Sequence, residues 1–253
     1  MCGLPAWPYP RLAAHRGAGK SAPENTLAAL RFGYARGYRM AEIDVKLSAD
    51  GVAFLLHDDT LDRTTNGRGR ADALPWRELA QLDAGSWHSP AFAGESIPSL
   101  VAVARWARAN DVAINIEIKP SPGRERETGA AVALDAKSLW ADADVQPLLS
   151  SFSEVALDAA REAAAELPRA WLLEGFPNDW QMTLVRLGCI AVDPKHTLLS
   201  EDMVRDLRGA GLRVATWTVN DAARVAELAK WGVDTVITDS VDAIAPDSVP
   251  ARG

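Results

Sequence analysis

Residues 40–47 of the chain read MAEIDVKL, a stretch in which polar and apolar side chains alternate. In a β-strand, this alternation places Glu42, Asp44 and Lys46 on one face and the apolar side chains on the other. One interpretation is an edge strand with a solvated charged face. We favour an inner strand of a closed barrel, whose polar face cannot turn to bulk water. Two carboxylates held so close repel each other, and a hard divalent cation is the simplest way to stabilise both.

The rest of the chain alternates short apolar runs with longer stretches rich in Ala, Leu, Arg and Glu, a pattern typical of βα units. It predicts eight strands, at residues 11–15, 40–47, 112–118, 145–150, 169–173, 189–192, 212–217 and 235–238. It predicts helices at residues 26–36, 99–109, 124–139, 154–166, 179–187, 201–210 and 222–230. A doubly wound open sheet is the alternative. Eight units in 253 residues favour a single α/β domain, a (β/α)₈ TIM barrel over residues 1–253.

The residues at the predicted helix ends support these helices. Glycines stand where three of them should end, and typical N-cap residues stand where three should begin: Gly37, Gly188 and Gly232, and Ser153, Ser200 and Asn220. Residues 58–98 break the alternation, because they contain no clear strand and scattered Gly, Pro, Asp and Trp. We expect a functional insertion there, since loops at this face of a barrel build the site.

Composition excludes several classes of protein. Hydrophobic residues make up 48% of the chain and charged residues 24%, which is typical of a globular enzyme and not of a disordered chain. The net charge of −7 argues against a nucleic-acid partner, so an anionic substrate needs a local cluster of bases. Cys2 and Cys189 are too few for a disulfide framework. With neither a signal-peptide pattern nor an apolar run of roughly 20 residues, we expect a cytoplasmic protein without membrane insertion.

A predicted hairpin brings a histidine to the acidic strand. Asp50-Gly51 is a strong signal for a two-residue turn. A turn of that length places Asp44 opposite His57. A histidine delivered to two carboxylates at a strand end is more often functional than structural.

Two further strand ends carry charged residues. The first predicted strand ends in His15-Arg16-Gly17, where catalytic groups lie in this architecture, and Arg16 offers a planar fork for a phosphate. Residues 23–26, with the sequence PENT, are interpreted as a helix-capping segment. On the third strand, Glu117 and Lys119 share a face and add a carboxylate and a cation.

Other residues at strand ends are weaker candidates. Trp217 is either an apolar wall for the carbon skeleton of a substrate or part of the core. Three further candidates are Ser151-Phe152, Thr238-Asp239 and Glu174. His88 and His196 are expected to be loop residues without a chemical role.

Taken together, these motifs resemble the glycerophosphodiester phosphodiesterases, and the bacterial cytosolic members in particular. The resemblance runs from Ala14 to Asp239. It rests on HRG at 15–17, PENT at 23–26, EIDV at 42–45, DG at 50–51, HD at 57–58, EIKP at 117–120, WTVN at 217–220 and the segment 232–239. Such a combination is highly specific.

The resemblance implies a (β/α)₈ barrel with an insertion after the second strand, in agreement with residues 58–98. It implies one divalent metal ion on Glu42, Asp44 and Glu117, with Mg²⁺ favoured over Ca²⁺. Contacts to phosphate from Arg16 and Lys119 are also implied.

The implied activity is hydrolysis of a glycerophosphodiester to sn-glycerol 3-phosphate and an alcohol. His15 and His57 are the implied acid–base pair. We assign His57 as the acid, because neighbouring carboxylates would raise its pKa. The alternatives are a superfamily relative that forms a cyclic phosphate by intramolecular attack and a non-catalytic barrel that binds phosphodiesters. The expected partner is a small-molecule substrate, and assembly into a homo-oligomer is left open.

Overall fold

The computed structural model describes residues 4–249, and within them eight parallel strands close into a barrel. With the antiparallel β3, the sheet has nine strands: β1 (Leu12–Ala14), β2 (Met40–Leu47), β3 (Ala53–Leu55), β4 (Ala113–Ile118), β5 (Leu148–Ser151), β6 (Arg169–Leu173), β7 (Ala191–Pro194), β8 (Arg213–Thr216) and β9 (Thr235–Thr238). β1 pairs with both β2 and β9, which closes the ring, and β3 is antiparallel to β2.

Helices separate the strands and cover the barrel. They are α1 (Leu27–Ala35), α2 (Trp76–Leu79), α3 (Leu100–Ala109), α4 (Glu125–Leu139), α5 (Glu154–Ala163), α6 (Trp180–Leu187), α7 (Glu201–Gly209) and α8 (Ala222–Trp231). The predicted (β/α)₈ fold is confirmed, and the open doubly wound sheet is excluded by the closing pair β1–β2. No helix in residues 4–249 is long and apolar enough to cross a membrane.

Some element ends differ from the prediction. β7 begins two residues later than expected, because the amide of Cys189 still donates to the carbonyl of Leu184 at the end of α6. The N-cap of α8 is Asp221, whose carboxylate accepts from the amide of Arg224, and not Asn220. Cys189 is buried and unpaired, whereas Cys2 lies outside the described residues.

The β2–β3 hairpin is one residue longer than predicted. Val45 pairs with Leu55, and three residues connect Ser48 to Val52, the last being Gly51 with φ +79°. A three-residue loop ending in a left-handed residue is a common hairpin connection. The predicted pairing of Asp44 with His57 is therefore wrong by one residue. The amide of Leu56 donates instead to the backbone carbonyl of Asp44.

The interior of the barrel is apolar below the site and polar above it. Small and medium side chains fill the lower layers: Ala13, Met40, Leu148, Ala170, Ala191, Ala215 and Ile237. Outside the barrel, α4 and α5 pack so closely at Gly129 that a Cβ there would clash with the carbonyl oxygen of Ala156.

The insertion after β3 has a small core of its own. Its packing includes Leu61 and Leu79, both fully buried, against Phe54 of β3 and Ile97 near its end. It contains the single-turn helix α2 and no strand of the sheet, in agreement with the predicted insertion. This packing fixes the insertion over the carboxyl end of β2, where the polar residues lie.

Candidate active site

Three carboxylates meet at the carboxyl ends of β2 and β4. Parallel pairing sets Asp44 beside Glu117 and Glu42 beside Asn115. Glu42, Asp44 and Glu117 are buried, and one oxygen from each lies within 4.8 Å of the others. Oxygen donors of this kind suit Mg²⁺ or Ca²⁺. The structure thus brings the three predicted ligands together in a group that could hold a metal ion.

The electrostatics of the three carboxylates favour a bound cation. Burial and the charge of Asp44 raise the pKa of Glu42 and the pKa of Glu117 above their ordinary values. Burial would raise the pKa of Asp44 as well, but the charges of Lys119 and Arg16 outweigh it and hold that pKa low. Without a proton or a metal ion, the group concentrates more negative charge than its neighbours offset.

His15 follows β1 and is held by a carboxylate. Its Nδ1 donates to Asp239 at 2.5 Å, and its Nε2 lies 3.8 Å from Glu42. Burial lowers the pKa of His15, but the hydrogen bond to Asp239 and the charge of Glu42 outweigh burial, so the net shift is upward. Asn220 secures Asp239 in turn, donating to its carboxylate at 3.1 Å and accepting from its amide at 2.8 Å.

His57 follows β3 and has the same arrangement. Its Nδ1 donates to Asp58 at 2.7 Å. Burial lowers the pKa of His57, and the charges of Arg16 and Lys119 lower it further, so that Asp44 and Asp58 do not restore it. The expected rise in this pKa was therefore wrong, because it counted the carboxylates and omitted burial and the two cations.

Two cations lie beside the carboxylates, as the sequence predicted. Lys119 Nζ is 2.9 Å from Glu117 and 3.4 Å from Asp44. Arg16 Nε is 3.4 Å from Asp44, and the Arg16 backbone has φ +50°, a conformation that few residues other than glycine adopt. Strained backbone of this kind is found at sites that hold a side chain in one direction.

A cavity of about 120 Å³ joins these groups. Its polar wall includes six predicted residues: His15, Arg16, Glu42, His57, Glu117 and Lys119. Its apolar wall is formed by Phe152, Leu172, Trp217 and Ile237. Trp217 donates from Nε1 to the carbonyl of Asp193, and its ring meets Phe152 edge to face at 5.3 Å. Trp217 thus packs against the core and also lines the cavity, and its contact with a glycerol skeleton stays a prediction.

Sequence reasoning missed several supporting residues. Asn25 was assigned to a capping segment, yet only Thr26 caps α1. The Asn25 amide donates to the Asp44 carboxylate at 2.8 Å and accepts from the Asp44 amide at 3.0 Å. Lys46 is fully buried and donates to Asp59 of the insertion at 2.8 Å. The PENT motif at residues 23–26 was the signal that could have pointed to Asn25. It does not reveal the hydrogen bonds that join Asn25 to Asp44 of β2.

The weaker candidates divide into two groups. Phe152 and Asp239 belong to the site, one in the cavity wall and one bonded to His15. Glu174 is exposed and does not line the cavity. His88, in the insertion, contacts the carbonyl of Lys20, and His196 lies after β7. Neither residue lines the cavity.

Comparison with known proteins gives consistent results. The Glycerophosphoryl diester phosphodiesterase family matches residues 15–243. The glycerophosphodiester phosphodiesterase of Caldanaerobacter subterraneus is 32% identical over 236 residues, which is 91% of this chain and 94% of that protein.

Two solved structures have the same fold. An Oleispira antarctica phosphodiesterase, in complex with the product sn-glycerol-3-phosphate, has a TM-score of 0.86 and 34% identity, with 95% of each chain covered. A glycerophosphodiester phosphodiesterase from Agrobacterium tumefaciens has a TM-score of 0.78 and 29% identity, covering 92% of this chain and 97% of that one. With its barrel, its carboxylate group and its paired histidines in place, this chain belongs to the glycerophosphoryl diester phosphodiesterase family of enzymes.

Proposed function

We propose that the protein hydrolyses glycerophosphodiesters to sn-glycerol 3-phosphate and a free alcohol in a metal-dependent reaction. One observation carries the proposal. A single cavity is lined by two carboxylates of the three-carboxylate group, two cations and two histidines whose Nδ1 atoms are both bonded to carboxylates. The Nε2 atom of each ring is thereby left for proton transfer.

Glu42, Asp44 and Glu117 are the proposed metal ligands. Their oxygen-only donor set suits a hard cation, and we favour Mg²⁺ over Ca²⁺. When bound, the cation would offset negative charge on the phosphoryl oxygens. Burial, and then the charge of Asp44, raise the pKa values of Glu42 and Glu117, and these shifts fit such a site because a bound cation would stabilise both buried carboxylates in their charged form.

Arg16 and Lys119 are the proposed phosphate contacts. The protein has a net charge of −7, so an anionic substrate depends on these local cations. Both line the cavity, and Arg16 presents a planar donor fork. Trp217 and Phe152 supply an apolar corner beside them, which we assign to the glycerol carbons.

His15 and His57 are the proposed acid–base pair. One histidine takes a proton from the attacking water as its oxygen bonds to phosphorus. The other gives a proton to the alcohol oxygen as its bond to phosphorus breaks. The upward pKa shift of His15 and the downward shift of His57 favour His15 as the acid, which reverses the assignment from sequence.

The alcohol half of the substrate is proposed to be recognised loosely. We assign Arg16, Lys119 and the metal ion to the phosphate. Among the described residues that line the cavity, Phe152 and Trp217 form a corner with no third aromatic ring besides the two histidines to enclose a quaternary ammonium. Efficiencies for choline, ethanolamine and glycerol esters should therefore agree within about tenfold. We further propose that residues 1–253 form a single domain and that the protein is cytoplasmic. Its proposed partner is this small-molecule substrate.

Product analysis tests the proposed function. The protein is incubated with glycerophosphocholine and Mg²⁺ and followed by ³¹P NMR. We expect one phosphomonoester product that a glycerol-3-phosphate dehydrogenase oxidises. A cyclic phosphate would instead show attack by the substrate's own hydroxyl, and tight binding without turnover would show a non-catalytic barrel.

A further inference from the structure

Arg63, in the insertion, connects two carboxylates that belong to different parts of the chain. Its Nε and Nη2 donate to the two oxygens of Asp58 at 2.7 and 2.9 Å. Its Nη1 and Nη2 donate to the two oxygens of Glu24 at 2.7 and 2.8 Å. One guanidinium thus makes four hydrogen bonds, two to each carboxylate, a geometry that a planar fork allows and an ammonium does not.

Each of these carboxylates holds a residue that lines the cavity. Asp58 accepts from His57 Nδ1 at 2.7 Å. Glu24 accepts from Arg16 Nη1 at 2.7 Å. A continuous series of hydrogen bonds therefore runs from His57, a proposed acid–base group, through Arg63 to Arg16, a proposed phosphate contact. Arg63 itself does not line the cavity.

This arrangement restricts both cavity residues. His57 follows a three-residue strand and Arg16 has a strained backbone, so neither is directed by a long regular element. The Asp58 and Glu24 side chains are free to rotate unless something holds them. Two bidentate pairs on one arginine remove that freedom together, because moving either carboxylate breaks two hydrogen bonds.

We propose that Arg63 is a positioning residue that sets the orientation of His57 through Asp58 and of Arg16 through Glu24. The inference rests on the proposed function and assigns a role to the insertion within it. In this proposal the insertion contributes Arg63, which aligns two residues that line the cavity.

Kinetics with a matched control test the proposal. Arg63→Ala should lower kcat on glycerophosphocholine about 100-fold, the scale expected when a reacting group is displaced by about 1 Å. Arg70→Ala is the control, because Arg70 makes a bidentate pair with Asp72 in the same insertion and does not contact the cavity. It should keep kcat within about twofold of the parent.

Two further variants separate positioning from general stability. Arg63→Lys keeps the charge without the fork and should recover less than tenfold of the loss. In the Asp58→Asn background, Arg63→Ala should cost less than in the parent, because only the branch through Glu24 and Arg16 is left to lose.

A spectroscopic measurement tests the same idea without relying on turnover. A downfield ¹H resonance from His57 Nδ1–H, assigned by its loss in His57→Ala, should disappear in Arg63→Ala while that of His15 persists. If the parent fails to hydrolyse glycerophosphodiesters, the proposed function fails, and this signal still decides the role of Arg63. Retention of the His57 signal in Arg63→Ala, or a loss of kcat in Arg70→Ala equal to that in Arg63→Ala, would overturn the inference.

Discussion

At the residue scale, each histidine is paired through Nδ1 with an aspartate, His15 with Asp239 and His57 with Asp58. The sequence predicted both histidines from their places at strand ends. It named Asp239 only as a weak candidate and gave Asp58 no role. Which aspartate bonds to which histidine depends on the loops that meet in the folded protein. The alternation of polar and apolar residues along one strand does not predict these contacts.

The division of labour between the histidines is testable with two esters. A glycerophosphodiester releases an alkoxide that needs a proton, whereas p-nitrophenolate needs little. His15→Ala should lose about 10²–10⁴-fold on glycerophosphocholine and much less on a p-nitrophenyl ester, and His57→Ala should be impaired on both. The opposite pattern would restore His57 as the acid. Equal losses for both variants on both esters would contradict any division.

Asp193 is predicted to make stability depend on pH. It lies on β7, fully buried, and neither carboxylate oxygen has a hydrogen-bond partner among residues 4–249. Burial, with the charge of Glu117, raises its pKa well above the ordinary value. Between the ordinary pKa of an aspartate and the raised pKa of Asp193, the folded protein keeps a proton that the unfolded chain releases. The free energy of unfolding therefore falls as pH rises through this range.

The neutral variant Asp193→Asn removes this dependence. Its Tm should exceed that of the parent at pH 8, and the difference should shrink toward pH 4, where Asp193 is protonated in the folded protein and about half protonated in the unfolded chain. Differential scanning calorimetry at the two pH values measures it. A Tm difference that is the same at both would show that Asp193 is not protonated in the folded protein.

At the element scale, the β2–β3 hairpin shows how far pattern reasoning reaches. The turn signal at residues 50–51 was correct in place, and the loop has three residues and not two. Both lengths accept a glycine with positive φ, so the sequence does not separate them. His57 nevertheless lines the cavity, because it lies beyond the paired region and its direction is set by Asp58.

Helix packing predicts opposite effects on stability when two helix glycines are replaced by alanine. Gly129 on α4 lies against the carbonyl of Ala156, so Gly129→Ala should destabilise the protein by about 1–3 kcal/mol through overpacking. Gly209 on α7 has open space where a Cβ would lie, so Gly209→Ala should be neutral or stabilising by up to about 1 kcal/mol. Urea unfolding of both variants measures the change. Equal effects would show that the α4–α5 contact is not close.

At the scale of the whole molecule, the barrel was predictable because eight βα units repeat one simple pattern. Residues 58–98 were recognised only by the absence of that pattern, and their packing could not be derived from it. The contribution of Arg63 to the site belongs to the same class, since it requires the insertion, the β1–α1 loop and the end of β3 to meet.

The central claim is that a metal ion held by Glu42, Asp44 and Glu117 is required for hydrolysis of a glycerophosphodiester. The most direct measurement is release of sn-glycerol 3-phosphate from glycerophosphocholine by the parent, Glu42→Gln and the exposed control Glu174→Gln, each with Mg²⁺ and with chelator. We expect chelator to abolish activity of the parent and the control, and added Mg²⁺ to restore it. Glu42→Gln should remain folded by circular dichroism and largely inactive at the same Mg²⁺ concentration. Full activity of Glu42→Gln in the presence of chelator would contradict the account.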